Sequence, residues 1–112
     1  MRHTLPDMPE REVFPGFHGR FVHSDGMTFA WWRIEPGAAV PEHAHDNETE
    51  MLHVIAGEGE MVIDGVTLPV TDSTSIQIPK GTKHQASVTK AFKAIQLYTP
   101  GGPEQRFKAK LK

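Results

Sequence analysis

The sequence predicts an all-β fold, a sandwich or a barrel, and three observations carry the prediction. Short apolar runs recur at roughly 8–12-residue spacing, with turn signals between them. No stretch sustains the apolar period of about 3.6 residues that an amphipathic helix needs. Two of the turn signals, Asp25-Gly26 and Asp64-Gly65, are two-residue hairpin connections flanked by apolar runs.

Taken in order, residues 1–18 hold Pro6, Pro9 and Pro15 in a polar setting and read as an irregular arm, pinned by Val13, Phe14 and Phe17. Residues 20–23 form a first strand. After Asp25-Gly26, residues 27–34 return as a strand rich in aromatics, and Pro36-Gly37 turns the chain. Residues 51–56 are an apolar run opened by Glu50. Strands over 60–63 and 66–70 flank Asp64-Gly65. Thr71-Asp72-Ser73 is a turn, and 74–78 leads into the tight Pro79-Lys80-Gly81 turn. Residues 84–89 and 92–99 pair around Lys90-Ala91, and Pro100-Gly101-Gly102-Pro103 ends the strands. This amounts to about nine or ten short strands. The expected organisation is an arm over 1–18, one β domain over 19–100, and a tail over 101–112 that suits a short helix.

With 112 residues, one domain with a small core is the natural size. Hydrophobic content is 38% and charged content 23%, the balance of a globular chain and not a disordered one. A formal net charge of −2 with both signs scattered leaves no basic footprint for nucleic acid and no polybasic membrane patch. No apolar run reaches the about eighteen residues of a membrane span. The N-terminal residues lack the apolar core of a signal peptide, so the expected location is the cytoplasm. There are no cysteines, which excludes disulfides, thiolate metal sites and thiol catalysis. Seven histidines are the natural pool of metal ligands.

The stretch 37–57 organises the chain. His43 and His45 are two apart, and in an extended strand such residues project to one face. Asp46-Asn47-Glu48-Thr49 supplies turn chemistry, and Glu50 opens the returning strand, where it can face the two imidazoles. Two imidazoles and a carboxylate converging from neighbouring strands make half of a metal site. The other half is His84, delivered at the head of a strand by the turn at Pro79–Gly81.

This pair of segments resembles the cupin family. The family's first motif, Gly, five residues, His-x-His, three or four residues, Glu, six residues, Gly, is filled by Gly37, His43, His45, Glu50 and Gly57. The second motif's Pro-x-Gly-x-x-His core is matched by Pro79, Gly81 and His84. Ser73 stands where the family often has Gly, and Val88 where it often has Asn. The resemblance implies a small jelly-roll barrel with the motifs lining its mouth. It implies His43, His45, Glu50 and His84 as metal ligands, and reactions among dioxygenases, isomerases, decarboxylases and lyases.

Three imidazole nitrogens and one carboxylate oxygen suit a divalent transition metal (Fe, Mn, Ni, Zn, Co or Cu) better than Ca or Mg. Four protein donors leave two octahedral positions for a compact organic substrate. We expect a dioxygenase-like oxidoreductase ahead of an isomerase or lyase, with a non-catalytic binding module as the alternative. His53, three residues from Glu50, should point to the opposite face. His3, His18 and His23 read as solvated or core-satisfied, and Glu42 and Glu48 fall outside the motif. Strand parity puts Leu52, Val54, Ala86 and Val88 in the pocket wall. Gln77, Gln96, Tyr98, Met27 and Arg33 are candidates for its polar or variable part. Trp31 and Trp32 are adjacent on one strand, so their rings face opposite sides. The outer one suggests a homodimer interface or cover by the arm.

Overall fold

The computed structural model describes residues 2–100. A single 3₁₀ turn, Leu5–Asp7, precedes eight strands: β1 (Arg11–Phe14), β2 (Phe17–Ser24), β3 (Met27–Ile34), β4 (Ala39–His43), β5 (Thr49–Ile63), β6 (Val66–Thr71), β7 (Ser75–Ile78) and β8 (His84–Thr99). They form one sheet in the order β1-β2-β3-β8-β5-β6, with β4 added to β8 and β7 to β5. Every pairing is antiparallel. The sheet rolls into a jelly-roll barrel. Among the described residues no helix is long and apolar enough to cross a membrane.

Two long strands are the spine. β5 and β8 pair from Thr49↔Thr99 to Ile63↔His84. The other edge of β5 carries β7 beside its first half and β6 beside its second. The other edge of β8 carries β4 and then β3. The sequence divides each spine strand into two short ones, at residues 57–59 and at Lys90-Ala91. The chain instead bends there without leaving the ladder. The register slips between Val54 and Gly59, and bulges of this kind let one strand curve around a barrel. Gly57 sits at the bend with φ +130°, a conformation open to glycine and closed to other residues.

Both hairpin signals close as expected. Asp25-Gly26 joins β2 to β3 with Ser24 opposite Met27. Asp64 and Gly65 both have positive φ, 50° and 81°, the geometry that matches strand twist. The arm is more regular than its prolines suggest. Val13 and Phe17 are buried and anchor it as expected, but β1 pairs with β2, which extends the sheet. Nη1 of Arg20 donates to the carbonyls of Leu5 and Met8, fixing the turn before β1. The tail expected over 101–112 lies outside the described residues.

Alternation on β3 sends Thr28, Ala30, Trp32 and Ile34 inward. Ala30, Trp32 and Ile34 join Val54, Val70, Ile78, Val88, Phe92 and Ala94 in one buried cluster. Trp32 packs edge-to-face on Phe17 and Phe21, with ring centroids 6.3 and 5.5 Å away. Such contacts add about 0.5–1.5 kcal/mol each beyond the buried area.

Candidate metal centre

β4 ends at His43, and His45 lies in the loop beyond it. The single extended strand that parity assumed therefore stops between them. The two rings still meet, with centroids 5.1 Å apart, because the Gly81 N–H donates to the His45 carbonyl at 2.8 Å. That bond ties the β4–β5 loop to the turn that delivers His84. His84 begins β8 directly opposite His43, and their centroids are 4.2 Å apart. Metal-ligating nitrogens of His43, His45 and His84 lie within 4.8 Å of one another. Glu50, on β5, places Oε2 3.6 Å from Nε2 of His45 and 3.4 Å from Nε2 of His84.

Two of the imidazoles, those of His43 and His84, are held in a ligating tautomer. Nδ1 of His43 lies 2.9 Å from the Pro41 carbonyl, and Nδ1 of His84 lies 2.9 Å from the Thr82 carbonyl. A carbonyl only accepts, so Nδ1 carries the proton and Nε2 the lone pair. Burial pushes the His84 pKa below the ordinary imidazole value; the Thr82 carbonyl opposes the shift, and nearby His43 adds to it. Both the tautomer and the neutral charge are what a metal requires of histidine. Glu50 is 2% exposed and His84 4%. A carboxylate so buried is costly unless bonded and balanced by positive charge. A dication among these four groups would supply that balance, so the donor set fits a divalent transition metal.

The four groups line a cavity of about 110 Å³. Its wall is mostly apolar, including Phe14, Phe17, Trp32, Ile34 and Phe92, and among the described residues it contains no lysine or arginine. Of the residues placed by parity, Leu52, Ala86 and Val88 line it, and Val54 is instead fully buried in the core. Gln96 and Tyr98 belong to the lining; Gln77, Met27 and Arg33 do not. Glu60 and Ser87 add further polar groups. Arg33 lies outside, paired with Glu10 at 2.7 Å.

His53 points away from the cluster, as its odd step from Glu50 requires, and its Nδ1 meets Ser75 Oγ at 2.7 Å. His18 lies 2.8 Å from Glu35 Oε2, and His23 meets Thr28 Oγ1 at 3.2 Å. Glu48 is buried although its neighbours Asn47 and Thr49 are exposed, and nothing in the sequence marks it. Sequence reasoning could name Gln96 but not place it. Gln96 donates from Nε2 to Glu50 Oε1 at 2.7 Å. Its Oε1 accepts from Trp32 Nε1 at 2.8 Å and from Tyr98 Oη at 2.9 Å. The available signal was a polar residue in phase with the inward Phe92, Ala94 and Tyr98.

Comparison with known proteins agrees with this architecture. A family model described as Cupin domain matches residues 30–98. An oxalate-binding protein of Thermotoga maritima is 26% identical over 68 residues, which cover 61% of this chain and 56% of that protein. The match thus spans about half of the curated relative's length. KdgF from Halomonas sp. superposes with a TM-score of 0.84 at 18% identity, covering 91% of this chain and 94% of that one. An RmlC-like cupin from Shewanella frigidimarina superposes with a TM-score of 0.85 at 18% identity, covering 92% and 93%. At these identities the superpositions show the fold.

Proposed function

The chain belongs to the Cupin domain family, and from that premise we propose a small metalloenzyme. In it, His43, His45, Glu50 and His84 hold one divalent transition metal, and a compact chelating substrate occupies the cavity. The observation that carries the reading is the cluster of three imidazole nitrogens beside a buried carboxylate whose inner oxygen faces two of them, those of His45 and His84. When bound, the metal supplies Lewis acidity and, if redox-active, electron transfer with dioxygen. The protein's own residues do the rest. The carbonyls of Pro41 and Thr82 orient two imidazoles. Leu52, Ala86, Val88 and the aromatic wall exclude bulk water, which strengthens electrostatic effects inside.

Charge bounds the substrate. With no lysine or arginine among the described residues of the lining, the metal is the cavity's cation. At the metal itself, one dication with the Glu50 carboxylate leaves a single positive charge, which suits a monoanionic chelate such as an enolate; the Glu60 carboxylate, also in the lining, further disfavours surplus negative charge. Oxygenase chemistry on such a substrate is our first reading, because three nitrogens and one carboxylate suit a redox metal. The oxalate-binding relative favours a second, in which a small dicarboxylate is bound or converted without oxygen.

We also propose a homodimer. Trp31, Met51 and Leu97 lie on the outer face of β3, β5 and β8, in phase opposite to the buried Trp32, Leu52 and Tyr98. Met51 and Leu97 are 45% and 40% exposed, and apolar surface of this kind suits a second copy. A cytoplasmic location without nucleic-acid or membrane partners completes the reading, on the near-neutral net charge.

The test begins with elemental analysis of protein purified without added metal. His45→Ala and Glu50→Ala should strip most of the metal and keep the β fold, and His53→Ala should not. Loss of metal in the His53 variant with retention in the His45 variant would sink the site. Turnover of diketones, enols, catechols and small dicarboxylates, with and without air, then separates the two readings. Oxygen-independent conversion would retire the oxygenase.

A further inference from the structure

We infer that Gln96 is a positioning residue that decides which oxygen of Glu50 is offered to the metal. The inference rests on the metal reading above and concerns residues that the family motifs do not include.

The geometry fixes the amide. An indole N–H only donates, so the Gln96 atom 2.8 Å from Trp32 Nε1 must be the carbonyl oxygen. Tyr98 Oη donates to the same oxygen at 2.9 Å. The amide nitrogen is therefore turned to Glu50, where it donates to Oε1 at 2.7 Å. A reversed amide would set N–H against the indole N–H and oxygen against carboxylate, two repulsive contacts in a buried site. The sheet register supports the reach. Gln96 is opposite Ala30 on β3 and Leu52 on β5, so Trp32 and Glu50 are its diagonal neighbours, a distance long side chains span.

The consequence falls on Glu50. Oε1 is held by the amide, and Oε2 faces the Nε2 atoms of His45 and His84. Held so, the carboxylate offers one oxygen and the protein offers four donors in all. A six-coordinate ion then keeps two positions, the number a chelating substrate needs. A carboxylate released from Gln96 can turn both oxygens inward and take one of those positions. Partners behind a ligand typically change metal affinity by about 10–100-fold when removed.

The experiment uses the full chain loaded with Mn(II) alone. Gln96→Met keeps length and packing but has no donor, and Tyr98→Phe leaves the amide oriented through Trp32. Mn(II) affinity is read from the EPR signal of the free ion. The number of exchangeable waters on bound Mn(II) is read from water-proton relaxation. We expect about two waters in the wild type and one in Gln96→Met, with affinity lower by about 10–100-fold; Tyr98→Phe should stay near wild type in both. Should Gln96→Met not fold, Gln96→Asn carries the same test, because its shorter amide does not span to Glu50. Wild-type affinity and hydration in the Gln96 variant overturn the inference and leave the metal site standing, as does an equal effect in Tyr98→Phe. A wild-type chain that binds no Mn(II), or any other divalent transition metal, overturns the metal reading and this inference with it.

Discussion

Gly37 and Gly57 occupy equivalent-looking places, one at each end of the first motif, yet they should respond very differently to alanine. Both have positive φ, +86° and +130°. At Gly37 an added Cβ meets nothing within 4 Å, so Gly37→Ala incurs only the left-handed backbone penalty of about 1–2 kcal/mol. At Gly57 the same atom would lie 2.7 Å from the Ala91 carbonyl oxygen, 2.7 Å from Phe92 Cδ2 and 2.8 Å from Phe92 Cα. Two of these atoms are backbone and the third belongs to a core ring 4% exposed, so none can move aside cheaply. Backbone strain of about 1–3 kcal/mol and overpacking of about 1–3 kcal/mol then combine to about 4 kcal/mol. The gain from a stiffer unfolded chain is common to both variants and cancels in their difference. That difference, about 2–3 kcal/mol, corresponds to roughly 8–24 °C in Tm for a domain of this size. Thermal unfolding of both variants by circular dichroism decides the matter. Equal Tm values would refute the claim that β5 and β8 touch backbone to backbone at the bend.

Three further outcomes follow from the charges and surfaces. Bound metal should be released on acidification, in a window below the ordinary histidine pKa of about 6.5 because the metal competes with protons; full occupancy well below that value, with a chelator present, would contradict three histidine ligands. In the metal-free chain His84 is held below the ordinary value by burial, so the unfolded chain takes up its proton first. Its neutral burial therefore penalises folding progressively as pH falls through about 6.5, and the dependence levels off below the folded pKa. Glu10, held low mainly by its bond to Arg33, acts only in the lower carboxylate range. Urea midpoints between pH 8 and 6 should thus fall with acid, and fall less in His84→Gln. For the dimer, light scattering at micromolar concentration should give twice the chain mass and Trp31→Glu should halve it; a folded wild-type monomer would return Trp31 to the arm.

How much of this was legible in the sequence varies with the kind of information each residue carries. Period-two alternation reports only the face of a strand. It therefore set Trp31 and Trp32 on opposite faces without saying which was the inner one, and separated Glu50 from His53. It could not say that Val54 lies too deep in the core to line the cavity, because depth depends on the strands opposite. Nor could it find the bond from Gln96 to Glu50, which crosses from β8 to β5 and is oriented by an indole from β3. Division of β5 and β8 into shorter strands followed from glycine and lysine at the bends. Local propensity reads such residues as turns, whereas barrel curvature uses them without breaking the ladder. His43 and His45 share a site although the strand stops between them, since the bond from Gly81 to His45 supplies what regular pairing does not.

That bond also shows why the site is a property of the closed barrel and of no single motif. Along the flat ladder Glu50 stands opposite Tyr98, and His84 stands opposite Ile63. Glu50 and Ile63 are far enough apart on β5 that a straight strand would separate the two sites by about 40 Å. Yet Glu50 Oε2 lies 3.4 Å from His84 Nε2. The distance closes by two routes. β5 bends at the register slips around Gly57, rolling its second half and its β8 partner back over the first. Meanwhile β7 sets Ile78 opposite Glu50, and the Pro79–Gly81 turn carries the chain from there to His84. A perturbation of the bend therefore acts on the metal site from a distance. If Gly57→Ala folds at all, the separation of Glu50 from His84 should increase and metal affinity should fall with stability. In Gly37→Ala, whose Cβ enters open space, affinity should hold.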